Sequence, residues 1–252
     1  MRKSRVCHLL AVADCLLFWV ACPKRQPAEA WIPRHANWQD PEVSTYDVMK
    51  GDTVVGQSVF TIRSAIGQAR GPAPTGNRIW EITGVNSSSA QGLHDSVCAT
   101  LSFDDLKSLG SFQIRNAGSR LDTVVSRYAS GTVQIKASGG QAQTLVVPVN
   151  AFDNSILTAV IRSLDLKPGA HYLLTSVASF GPWTKPADVQ VLADDTVSVP
   201  AGKFACHKVS LEIAGWPMHL WYEREAPYRY VKFENTVNNS SAVLTSYQVS
   251  RN

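Results

Sequence analysis

The sequence predicts an all-β fold, mainly antiparallel, in which a strongly curved sheet or open half-barrel carries one amphipathic helix packed on it. Three observations lead there. Short runs rich in Val, Ile, Thr and aromatic residues alternate with Gly, Pro, Asn and Asp punctuation along most of the chain. A single stretch has helical spacing instead. No break in composition divides the strand-rich part, so residues 31–252 read as one domain behind a leader at 1–30.

The leader comes first. Arg2, Lys3 and Arg5 precede an apolar run over residues 6–21, and Ala28-Glu29-Ala30 gives a small-residue exit before Trp31, the pattern of a signal peptide removed on export. Trp19-Val20-Ala21-Cys22 also resembles a bacterial lipoprotein box, in which Cys22 would be lipidated. Asp14 interrupts the run, which falls short of the ~20 apolar residues that span a bilayer, so no permanent membrane span is expected. The expected location is the periplasm, with a membrane anchor through Cys22 as the alternative.

Residues 44–49 and 53–62 flank Lys50-Gly51-Asp52, a hairpin turn in which Gly51 takes a positive φ. Strands are expected next at 78–85, 93–103, 111–115, 121–128, 132–137 and 141–147, with a long loop over 63–77. The helix follows at 154–164. Ile156, Leu157, Val160, Ile161 and Leu164 form its apolar stripe, and Ser155, Thr158, Arg162 and Ser163 its polar side. Asp153 suits the N-cap, and Pro168-Gly169 ends the segment. The remaining strands are expected at 172–179, 188–192, 196–199, 204–213, 218–223, 229–234 and 242–249, with turns at Asp194-Asp195, Pro200-Ala201-Gly202 and Ala226-Pro227.

Charge excludes one class of partner. The leader holds five of the 24 Lys and Arg and two of the 20 Asp and Glu, so the formal +4 falls to about +1 in the mature chain, and no nucleic-acid partner is expected. Of five cysteines, Cys98 and Cys206 alone lie beyond the leader. In an oxidising compartment they are candidates for a disulfide, and otherwise two separate buried thiols.

Catalytic patterns are missing. There is no G-x-S-x-G elbow, H-E-x-x-H helix, Walker loop or dinucleotide glycine fingerprint. Cys206 and His207 are adjacent in a strand and point to opposite faces, and His94 and Cys98 stand about 13 Å apart at ~3.3 Å per strand residue. His207 reads as a satisfied core histidine. Asp104-Asp105 and Asp194-Asp195 sit beside turns, where solvated aspartates are ordinary. The sequence therefore predicts no catalytic residue, no metal site and no cofactor. Aromatic residues remain: Trp80, Phe103, Tyr172, Trp183, Trp216 and Trp221 are weak candidates to line a groove for an apolar ligand, against core packing as the alternative for each. Neighbouring Gly and Pro place Trp183 and Trp216 in loops.

The order Tyr46-Asp-Val-Met-Lys-Gly51-Asp-Thr-Val-Val-Gly56, Val147-Pro148, Leu166-Lys-Pro168-Gly169, Val199-Pro-Ala-Gly202-Lys-Phe-Ala-Cys206-His-Lys208-Val209, Leu220-Trp221-Tyr222 and Tyr230-Val231-Lys232 resembles the bacterial envelope family called domain of unknown function 3108. That family is similar in fold type to the lipoprotein carriers LolA and LolB, whose half-barrel holds acyl chains under helical lids. The resemblance implies an apolar concavity and leaves the activity open. The expected function is a non-enzymatic periplasmic or envelope protein that binds an apolar or amphipathic ligand, a lipid or a lipidated protein. The alternative is a structural or protein-interaction module of the envelope, and an unrecognised hydrolase is the third reading. The sequence gives no oligomeric state.

Overall fold

The computed structural model describes residues 36–67, 76–88, 93–117 and 120–250. The leader and Cys22, with their export and lipidation signals, lie outside the described residues.

The chain first runs out as a meander of β1 (Glu42–Lys50), β2 (Thr53–Ile66), β3 (Arg78–Ser88), β4 (Leu93–Ser102), β5 (Ser108–Ala117), β6 (Arg120–Ala129), β7 (Thr132–Ala137) and β8 (Gln143–Val146). It then crosses to the far edge through β9 (Ala151–Asp153), a 3-10 turn at Asn154–Ile156 and the helix α1 (Leu157–Ile161). A second meander returns through β10 (His171–Ala178), β11 (Trp183–Val199), β12 (Gly202–Ile213), β13 (Trp216–Glu223), β14 (Tyr230–Asn235) and β15 (Ser240–Val249). β15 pairs with β1, so a 15-stranded sheet runs from β8 to β9 with β1 and β15 near its middle. The described ladders are antiparallel except β9–β10, which is parallel over three residue pairs.

Turn chemistry sets the registers. Gly51, at φ 58°, closes the β1–β2 hairpin as its sequence demanded. A Cβ on Gly56 would stand 2.1 Å from the Ser87 carbonyl oxygen, so only glycine lets β2 and β3 approach there. Residues 188–192 and 196–199, expected as two strands, form one long β11. Asp194-Asp195 is not a turn: the register shifts between Val191 and Asp194, a bulge that bends the strand without ending it.

The sheet curls around its own crossing segment. Phe152, Ile156, Leu157, Val160, Ile161, Leu164 and Leu166 are all buried, packed against Ile82, Leu101, Leu174, Val189, Val209, Leu211, Leu220 and Tyr222 on the concave side. Burying each such aliphatic side chain stabilises the fold by roughly 1.5–3 kcal/mol.

This segment corrects the expected helix over 154–164. Its α-helical part is five residues long, and Arg162, Ser163 and Leu164 continue with N–H bonds to the carbonyls three residues back, a tighter 3-10 winding. Its polar side is not solvated either, because Arg162 is 3% exposed. The segment lies inside the curved sheet, where both of its sides need partners, rather than on a surface with one wet face. Asp153 does cap its start, accepting the Ser155 N–H at 3.1 Å.

A second small core, Val197, Cys206, Trp221 and Val231 with Phe204, sits on the opposite, outer face of β11–β14. The candidate Cys98–Cys206 disulfide is absent, and both residues are free thiols, the alternative that the sequence left open. Cys98 points away from the core that its neighbour Ala99 joins, and Cys206 belongs to the outer cluster. With six strands between β4 and β12, the curl of the sheet does not bring these outer faces together for a bond that needs Cα atoms within about 7 Å.

Candidate functional site

No ladder joins β8 to β9, so the rolled sheet has a seam, and side chains close it. On the β5–β6 side the sequence places Ser111, Gln113 and Ser126 inward, all buried. From the other side β9 brings Asp153, 2% exposed, and the end of β10 brings Ser179.

Asp153 organises this seam. Its Oδ2 accepts from Ser111 Oγ at 2.8 Å, Gln113 Nε2 at 2.7 Å and Ser179 Oγ at 2.9 Å. Ser126 Oγ lies 2.8 Å from Ser179 Oγ and extends the chain of hydroxyls to β6. Asp153 Oδ1 accepts from the Ser155 N–H and from Ser155 Oγ at 2.6 Å. Five neutral donors surround one carboxylate, and among the described residues no Lys or Arg reaches it. Ser108 Oγ adds a bond across the same seam to the Ala151 carbonyl at 2.9 Å. An apolar patch of Val124, Val133, Ile135, Val147, Ala151 and Val177 completes the closure. Desolvation by burial pushes the Tyr128 phenol well up, and the Asp153 charge adds to it.

Two clefts flank the seam at opposite ends of β5. One, of about 370 Å³, is lined by residues including Leu109, Tyr128, Val147, Pro148 and Val149. The other, of about 240 Å³, is lined by residues including Asn86, Asp95, Arg115, Asn154 and Phe180.

A second polar lock holds the far end of the crossing segment. Arg162 Nη1 pairs with Glu42 Oε1, and its Nη2 donates to Glu42 Oε2 at 3.2 Å and to the Pro227 carbonyl at 2.8 Å. Tyr247 donates to Glu42 Oε2 at 2.8 Å. Both charged side chains are at most 4% exposed.

Of the expected ligand-lining aromatics, Trp80, Phe103 and Tyr172 share the concave core, and Trp183, Trp216 and Trp221 do not join them. Trp80 is buried in the concave core, edge-on to Trp38 at 5.3 Å and stacked on Phe103 at 5.1 Å. Tyr172 is buried there too and donates to the Asp165 carbonyl at 2.8 Å. Trp221 lies on the outer face, where Lys208 and Lys232 each stand 5.0 Å from its ring centre and its indole N–H donates to Asp195 at 2.9 Å. Trp183 and Trp216 are exposed at the first residues of β11 and β13.

The remaining chemical candidates are also accounted for locally. His207 Nδ1 stands 2.8 Å from Asp194 Oδ1, and Arg224 pairs with the other oxygen at 3.3 Å. Burial, with help from Glu223 and Asp195, pushes the Cys206 thiol up to about 12, and burial also raises Cys98. Thiols raised in this way are weak nucleophiles at neutral pH. Among the described residues no group of three His, Cys, Asp or Glu side chains could hold a metal ion.

Asp153 was legible as a cap, and its seam partners were not. Serine and glutamine at alternate positions of a strand were the available signal.

Comparison with known proteins fits this architecture. Residues 45–245 match the model of DUF3108, a family of unknown function, and the chain belongs to that family. A β-barrel-like DUF1849 protein from Brucella abortus has a similar fold at 11% identity and a TM-score of 0.56, covering 88% of this chain and all of that one. A protein assigned as exported, with a YmcC-like fold, from Bacteroides fragilis aligns at 12% identity over 87% of this chain with a TM-score of 0.35. No curated protein matches the chain. The Brucella likeness supports the rolled-sheet fold and nothing about activity.

Proposed function

We propose that this DUF3108 protein is a non-catalytic, exported binding module that meets another envelope protein along its seam, with its concave face closed by its own chain. The observation that carries this reading is the filled interior. Where an acyl chain would lie in a lipoprotein carrier, Phe152, Ile156, Leu157, Val160 and Ile161 stand at 0–1% exposure.

The seam supplies an alternative surface. β8 is an end strand, and Gln143, Thr144, Leu145 and Val146 carry none of the Pro, Lys or inward charges that blunt an edge. Val146 is 85% exposed and Val149 54%. An extended partner segment adding to β8 would set an apolar side chain over the cleft at Leu109, Tyr128 and Pro148. Export rests on the basic, apolar and A-x-A order of the leader. Among the described residues no helix is long and apolar enough to cross a membrane.

Photocrosslinking in living cells tests the proposal. A crosslinking side chain at Val146 or Val149 should trap one discrete protein, and the same group at the exposed Val54 of β2 should not. Equal capture at both places, or none at the seam, would refute it.

A second reading keeps the lipid ligand. It is favoured by the short crossing segment, bounded by Pro148 and Pro168-Gly169, beside a seam that no ladder closes. In that reading the segment swings out and an acyl chain takes its place.

A further inference from the structure

The 240 Å³ cleft differs in chemistry from the apolar one at the other end of β5. Arg115 and Asp95 face each other across the β4–β5 ladder, with Nε and Oδ2 3.4 Å apart. The Arg115 guanidinium also lies 4.3 Å from the centre of the Phe180 ring, so a stack and a carboxylate hold its plane. Arg115 is still 46% exposed and keeps N–H groups for a ligand. Asp95 is 24% exposed, and because its Oδ1 is buried, without a partner among the described residues, the oxygen open to a ligand is Oδ2, beside Arg115. Asn86 and the exposed Asn154 add amides from β3 and from the start of the crossing segment.

Charge selects among ligands. One carboxylate and one guanidinium line the cleft, so neither an anion nor a cation gains from it as a whole. A neutral ligand with several hydroxyls fits better, because each hydroxyl can donate to Asp95 and accept from Arg115 or an asparagine amide. The volume is below the range of about 300–1,000 Å³ usual for drug-sized ligands and suits a single ring. From these features we infer that this cleft binds one pyranose unit of a neutral saccharide.

Saturation-transfer NMR with N-acetylglucosamine and with glucose tests the inference on the mature chain. The expected result is transfer to sugar ring protons, with amide shifts at residues 95, 115 and 154. Asp95→Asn and Asn154→Ala should each weaken binding about tenfold, equivalent to about 1.4 kcal/mol. Asn154 is exposed, so its variant keeps the test decisive if Asp95→Asn misfolds. No transfer at about 20 mM sugar, a weaker complex than any specific site should give, would overturn the inference. So would binding that both variants leave unchanged, or shifts that map elsewhere. Crosslinking at Val146 and Val149 is independent of this cleft, so either proposal can fail alone.

Discussion

Two buried carboxylates sit at opposite ends of the crossing segment, and they are satisfied in different ways. Glu42 meets a guanidinium, since Arg162 pairs with both of its oxygens and Tyr247 adds a hydroxyl. Asp153 meets five neutral donors and, among the described residues, no cation. The Glu42 lock ties the segment to β1, where ladders on both sides already fix the sheet. The Asp153 cluster ties β9 and β10 to β5 and β6, where backbone pairing is missing. A charge pair concentrates the dependence in one partner. A ring of neutral donors spreads it, because the loss of any one hydroxyl leaves the others in place.

The largest effect should come from Arg162→Ala, which leaves Glu42 buried without its cation. Denaturant unfolding should show a loss of about 3–5 kcal/mol. The double variant Glu42→Leu with Arg162→Met should recover much of it, because neither charge is then stranded. A double variant as unstable as Arg162→Ala would mean that packing, not the lone charge, sets the cost.

Asp153→Ala comes next. Ser111, Gln113 and Ser179 lose their common acceptor, and because hydroxyls can turn to other partners the expected loss is about 2–3 kcal/mol. Ser126→Ala, at the outer end of the chain, should cost no more than about 1 kcal/mol. If Ser126→Ala cost as much as Asp153→Ala, the cluster would be a single cooperative unit and the contrast with Glu42 would dissolve.

The smallest effect concerns an exposed carboxylate outside both locks. The Trp221 indole N–H, followed by the Thr196 backbone N–H, holds Asp195 below the usual carboxylate range. A depressed folded-state value favours the fold above the unfolded carboxylate pKa of about 3.9, and the benefit is lost as pH falls through the folded value. Trp221→Phe should move the Asp195 titration upward by NMR and remove that part of the acid sensitivity. An unmoved titration would assign the depression to the Thr196 N–H and the Lys208 and Lys232 charges instead.

Much of the strand order was legible because turns and period-2 patterning are local. Residues 132–137 match β7 end for end, and Gly51 turns as expected. What escaped was long-range. β5 has inverted polarity, with Ser111 and Gln113 inside and Phe112 42% exposed, so hydrophobic alternation assigns it the wrong face. Nothing near Asp153 in sequence announces donors from two other strands. Arg162 belongs to the polar side by helical spacing, yet its partner Glu42 is 120 residues away and draws that side into the core. Aromatic identity likewise said nothing of face, and Trp80 and Trp221 ended on opposite sides of the sheet.

The central claim is that the concave face is closed by the chain itself. Native mass spectrometry of the protein released gently from its own cells tests it most directly. The account predicts the mass of the mature polypeptide without a noncovalent lipid. A stoichiometric lipid-sized adduct, lost in Val160→Asp, whose added carboxylate would disrupt the apolar contacts of a fully buried position, would contradict it and restore the carrier reading.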